Sequence, residues 1–271
     1  MSDLQLKDPA PARLGAQIGA HTVPVTPVDI VADGVAKQFG ETSIFADVSF
    51  RLARSEAVAI VGANGTGKST LLRCIIGLIP VSAGTVEVLG QNVGTASEAQ
   101  MRGVRARMGL VSQKHNLVLR LSVLSNVVQG LLGQHPGVRH WTHMVAPAPS
   151  REAAMVALEK VGLADFALRR ADRLSGGQSQ RVAIARAIVG QPQVLIADEP
   201  CASLDPAAGE EVMELFFDLA RQERVTVVFT SHSIDHALHY GDRVLGLADG
   251  TLKLDVTAAS LSPSDLRGLY D

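Results

Sequence analysis

The stretch Gly62-Ala63-Asn64-Gly65-Thr66-Gly67-Lys68-Ser69-Thr70 decides how this chain is read. It matches the spacing G-x-x-x-x-G-K-[ST]. Before it lies an apolar run of buried-strand length, residues 57–61, and after it the apolar helical pattern of residues 69–78. Glycines at these positions let backbone N–H groups turn inward around phosphate oxygens, and a helix that starts there offers its positive end. In that setting Lys68 neutralises β- and γ-phosphates and the Ser69 hydroxyl ligates Mg²⁺.

Working outward, short strand-like runs alternate with helical patterns, which predicts an α/β fold with a mostly parallel sheet. Residues 28–36 and 44–52 read as strands of an antiparallel edge. Strands are also predicted at 85–89, 108–112, 193–197 and 225–230, and a hairpin at 244–255 turns over at Asp249-Gly250. Between about residues 121 and 189 strand character is lost. Helical periodicity replaces it at 123–132, 151–161 and 178–189.

The run Val194-Leu195-Ile196-Ala197 ends in Asp198-Glu199, two carboxylates at the C-terminal end of a buried strand. Ligands of open α/β sheets sit at that end. Asp198 is the candidate to hold Mg²⁺, directly or through water, and Glu199 to polarise the attacking water as general base. Taken alone the pair would serve equally as a helix cap or an ion pair; the loop at Lys68 gives it a partner. A third segment, Leu174-Ser175-Gly176-Gly177-Gln178, precedes a helix and reads locally as a cap and turn.

Composition narrows the classes. The chain has 271 residues, 46% of them hydrophobic and 19% charged, so most of it can bury enough apolar surface to fold. A formal net charge of −2 gives no support for a nucleic-acid partner. No apolar run approaches the roughly 18 residues of a membrane span. Residues 1–27, broken by Pro9, Pro11, Pro24 and Pro27, lack the pattern of a signal peptide and are expected as a loose tail. Cys74 and Cys201 suggest no disulfide framework and suit a reducing cytosol.

Together the segments GANGTGKST, LSGGQ and VLIADEP make the sequence resemble an ATP-binding-cassette (ABC) ATPase over about residues 28–271. The resemblance implies a P-loop NTPase (RecA-like) core with an antiparallel β edge and an inserted helical subdomain at about residues 114–190. It implies ATP and Mg²⁺ as cofactors. Phe39 takes the place of the aromatic residue that stacks on adenine, and Gly62 to Thr70 that of the phosphate loop. Gln113 resembles the glutamine-loop residue that joins Ser69 and Asp198 around Mg²⁺, and His232 the switch histidine. Lys68, Gln113, Glu199 and His232 are thus the expected catalytic set. Ser175, Gly176, Gly177, Gln178 and Asp205 are expected to act across a head-to-tail homodimer.

Residues 111–127, 196–206 and 261–270 resemble the corresponding stretches of phosphonate-importer ATPases, with His115, Ser179 and Ser231 departing from their usual residues. That branch implies a peripheral subunit on the cytoplasmic face of the inner membrane. It would be bound to integral permease subunits and served indirectly by a periplasmic or extracellular solute-binding protein. The alternative is an accessory ABC-type subunit docked on a soluble carbon–phosphorus lyase complex. Residues 134–149, with His135, His140, Trp141 and His143, read as an exposed insertion: a mobile loop or a contact to the membrane subunit. His232, His236 and His239, at helical spacing, suit a switch and an ordinary surface better than a metal site.

Overall fold

The computed structural model describes residues 27–267. The stretch 1–26, which holds nearly all of the expected tail, and residues 268–271 lie outside the described residues. In chain order the elements are β1 (Val28–Phe39), β2 (Thr42–Ala53), β3 (Ala57–Val61), α1 (Lys68–Ile75), β4 (Ala83–Val88), β5 (Gln91–Asn92), α2 (Glu98–Arg105) and β6 (Met108–Ser112). The helices α3 (Val123–Val128), α4 (Ala148–Lys160) and α5 (Gly176–Ile188) follow. The chain then returns to β7 (Val194–Asp198), α6 (Pro206–Gln222), β8 (Thr226–Thr230), α7 (Ile234–Tyr240), β9 (Arg243–Ala248), β10 (Thr251–Thr257) and α8 (Pro263–Arg267).

Two sheets result. The central one has the order β10-β9-β3-β8-β7-β6, parallel except for β10, which pairs antiparallel with β9 through the Asp249-Gly250 turn. The other has the order β2-β1-β4-β5 and is antiparallel throughout. The expected antiparallel edge is therefore a sheet of its own, facing the central one across a shared core.

Burial follows from this layering. Every residue of β3 and of β8 is buried, as happens when helices or a second sheet cover both faces of parallel strands. Alternate side chains go to opposite cores. Val58, Ile60, Val194, Ile196 and Val228 pack with β1, β2, α1 and α2, whereas Ala59, Leu195, Ala197 and Phe229 pack with α5, α6 and α7. On the second side Phe217 meets Phe229 edge-on at 4.8 Å between ring centroids and stacks on Tyr240 at 4.7 Å. Burying each such ring contributes about 2 kcal/mol, which seats α6 and α7 against β8.

Helix α3 stops at Val128 and tightens into a 3₁₀ turn over Gln129–Leu131, rather than running on to 132. The cause is close approach: a Cβ on Gly130 would lie 2.1 Å from the Arg186 carbonyl of α5. Helices α2 and α6 and the short β5 have no counterpart in the sequence reading. Among the described residues no helix is long and apolar enough to cross a membrane, and Cys74 and Cys201 are both free thiols.

Candidate nucleotide site

The loop after β3 needs its glycines. Gly62 has φ of 145°, and a Cβ there would fall 2.1 Å from the Leu247 carbonyl oxygen of β9. Gly67, at φ of 98°, precedes α1 with no side-chain cap, and a Cβ there would come within 2.8 Å of Ile44 on β2. A side chain at either position would open the loop. The fold thus leaves the first turn of α1 with backbone N–H groups that no side chain caps. Lys68 is 5% exposed, and its Nζ donates to the carbonyls of Gly62 at 2.8 Å and Ala63 at 2.9 Å. Burial pulls its ammonium below the ordinary lysine range, against the opposing pull of Glu199 and Asp198. Thr66 closes the turn on the Ala63 carbonyl at 3.0 Å, Asn64 and Gly65 stay exposed, and Thr70 is half-buried on α1.

Three strand ends bring the polar groups together. Register pairs Ser112 of β6 with Asp198 of β7, and Asp198 with Thr230 of β8. The Ser69 hydroxyl donates to Asp198 Oδ1 at 2.9 Å, and the Thr230 hydroxyl donates to the same oxygen at 2.9 Å. Thr230 Oγ1 also accepts the Glu199 N–H at 3.0 Å, so one buried hydroxyl fixes both acidic positions. Glu199 sits in the left-handed region at φ of 51°, which turns it out of the strand. Its Oε1 lies 2.5 Å from His232 Nε2. The Ser69 hydroxyl and the Asp198 carboxylate, both hard oxygen donors, suit a small divalent cation. Gln113 stands exposed one residue beyond β6.

Phe39 closes β1 and is 51% exposed, with Lys37 Nζ 4.6 Å from its ring centroid. The hairpin that carries it supplies Ile44 to the wall beside Gly67. The remaining expected residues lie elsewhere. Ser175, Gly176, Gly177, Gln178 and Asp205 line a separate depression that contains none of Gly62 to Ser69. There Ser175 and Gln178 form a capping box at the start of α5 (3.2 and 3.1 Å), and Asp205 caps α6 by accepting the Ala208 N–H at 3.0 Å. One chain therefore assembles Lys68, Ser69, Asp198, Glu199 and His232, and holds the LSGGQ segment apart from them.

The two histidines at helical spacing from His232 are occupied. His236 Nε2 lies 3.0 Å from Glu210 Oε2 and its Nδ1 3.7 Å from Cys201 Sγ, while His239 meets Tyr240 edge-on. Tyr240 donates to Glu210 at 2.5 Å. Thr230 is the residue that sequence reasoning missed. Its only signal was a threonine at the C-terminal end of a buried strand.

Residues 45–202, more than half of the chain, match the ABC transporter family. The chain belongs to the ABC transporter family. It is 47% identical over 243 residues to the phosphate-import ATP-binding protein PhnC of Mycolicibacterium smegmatis, covering 90% of this chain and 92% of that one. It is 46% identical over 239 residues to the phosphonates import ATP-binding protein PhnC of Nocardia farcinica, covering 88% and 89%. Among solved structures it resembles the dimeric ATP-binding cassette MJ0796 in a post-hydrolysis state with ADP and phosphate bound. The TM-score there is 0.73 at 31% identity, over 84% of this chain and 98% of that one. As a member of this family the chain is an ATP-binding ATPase whose hydrolysis is coupled to transport.

Proposed function

We propose that this chain powers membrane import of phosphonate or a related small phosphorus oxyanion, as a head-to-tail homodimer bound to permease subunits at the cytoplasmic membrane face. The observation that carries the dimer is the separation just described: a complete phosphate loop on one side, and a capped, preformed LSGGQ segment in a different depression. The cargo class is supported by what the relatives are named for importing, phosphate in one and phosphonates in the others. Residues 114–190 form the block that passes motion to the permease, and a solute-binding protein delivers cargo on the far side. These relatives do not favour the accessory lyase role.

In this reading, ATP lays its phosphates on the N–H groups of residues 62–70 and the start of α1, and its adenine on Phe39. Lys68 exchanges its two carbonyl partners for β- and γ-phosphate oxygens. Ser69, Asp198 and Gln113 would hold Mg²⁺, which when bound would supply positive charge beside the phosphates. Glu199 accepts a proton from the attacking water, and His232, already paired with it, holds that carboxylate toward the γ-phosphate. Ser175 and Gly177 of the second copy close the γ-phosphate from the far side, with Asp205 beside them. Phosphoryl transfer depends on positioning and charge stabilisation, so a single chain with half the contacts turns over slowly.

The experiment is Glu199→Gln, assayed for ATP binding, turnover and size in solution. Tight binding, negligible turnover and accumulation of dimer support the reading. Normal turnover removes Glu199 from the role of general base. Purification from native membranes, identifying what remains bound, tests the transport assignment. A polytopic permease supports it, and soluble lyase subunits overturn it.

A further inference from the structure

Residues 99–151 contain no Asp or Glu, yet they hold six Arg and one Lys. In a chain of net charge −2, this leaves 18 of the 25 basic side chains and all 27 acidic ones to the rest. Within this acid-free stretch the segment 134–149 displays Val138, Trp141, Met144 and Val145, with exposures of 73, 61, 80 and 57%. Arg139 stands exposed among them.

The segment is not a mobile loop; its inner side is fixed at several points. Gln129 donates to the Trp141 carbonyl at 2.9 Å. His143 Nδ1 reaches Ser122 and Ser125 at 3.0 and 2.8 Å, and buried His140 reaches Ser150 at 2.9 Å and stacks on His135. Gln134 bonds the carbonyls of Ala106 and Gly190 at 3.2 and 2.5 Å, tying the segment to the end of α2, where Arg102 and Arg105 lie. A fixed backbone that spends large apolar side chains on water needs a surface to cover them.

We propose that the face built by Val138, Arg139, Trp141, Met144 and Val145 rests on the anionic phospholipid surface of the membrane. Apolar side chains and an amphipathic Trp enter the headgroup layer, while the exposed Arg139 among them is drawn to its negative potential. Cations alone would fit any polyanion, but a nucleic acid gives no reward for exposing Met144 and Val145. The contact rests on the reading that the chain works at a membrane and adds lipid to the permease as something it touches.

Trp141 is the only tryptophan of the chain, so the intact protein carries its own probe. The chain is titrated with phosphatidylglycerol vesicles and with phosphatidylcholine vesicles while Trp emission and co-sedimentation are followed. The expected result is a blue-shifted emission and sedimentation with phosphatidylglycerol, reversed by high salt and weak on phosphatidylcholine. Met144→Asp with Val145→Asp, both at exposed positions, should weaken partition about tenfold, and Arg139→Ala about fivefold. Basal ATP hydrolysis should not change in either variant. Unchanged emission with every vesicle overturns the proposal, as does equal binding to both lipids. Shielding of Trp141 by detergent-solubilised permease, with none by vesicles, also overturns it and leaves the importer reading intact. Vesicle binding by a chain that recovers no permease sinks the importer reading alone.

Discussion

Two helices of this molecule begin beside glycine-rich segments, and they begin differently. Helix α1 follows Gly67 with no side-chain cap, and the buried cation at its start, Lys68, is folded back on two carbonyls. Helix α5 follows Ser175, whose hydroxyl and Gln178 close a complete capping box. An uncapped, positively polarised end beside a buried lysine is unfinished without an anion. A boxed end is already finished as a piece of protein and presents its first turn to something outside the chain. In the proposed dimer the two segments serve the two halves of one ATP site: α1 binds, and α5 completes it from a second copy.

Four changes break or sharpen that contrast. The largest effect belongs to the α1 side. Glu199→Gln should lower turnover about a thousandfold while ATP binding persists, measured by steady-state hydrolysis and nucleotide binding on the same preparation. Thr230→Val keeps the volume but removes the hydroxyl that orders Asp198 and Glu199. Turnover should fall roughly tenfold with ATP affinity little changed, and Thr230→Ser should restore most of it. Equal losses in binding and turnover would mean that Thr230 supports only the fold.

Next comes pH. Burial lowers the Lys68 pKa below 10.5 in the free protein, and bound phosphate favours the charged form. ATP affinity should therefore be full below that depressed pKa and weaken several-fold as pH rises through it toward 10.5. Lys68→Ala should bind weakly with no such slope. The smallest effect is on the boxed end. Ser175→Ala should cost about 1 kcal/mol, a fall in Tm of about 2–4 °C by calorimetry, and leave ATP binding to the single chain untouched.

Much of this was legible because it is local. The spacing Gly62 to Ser69 dictates its turn, and the apolar run into Asp198-Glu199 dictates a buried strand with acids at its mouth. The division into two sheets was not legible, because a strand pattern such as 28–36 records alternation and not which partner it finds. Thr230 escaped for the same reason. Its value comes from register with Asp198, 32 residues earlier, which strand adjacency creates. Helix α6 carries two buried phenylalanines, Phe216 and Phe217, that mark it only once Tyr240 and Phe229 are seen against them. The order of the 134–149 segment rests on His140 and His143 reaching serines on α3 and α4.

The central claim is that α1 and α5 serve different copies, and complementation tests it most directly. Lys68→Ala disables the phosphate loop. Gly177→Asp disables the α5 end; its new Cβ would meet only Ala208 at an ordinary 3.8 Å, so the fold accepts it while its charge repels phosphate. Each variant alone should be nearly inactive. Mixed, they should regain hydrolysis, because one heterodimer site joins an intact loop to an intact LSGGQ segment. A mixture no more active than its components would contradict the account.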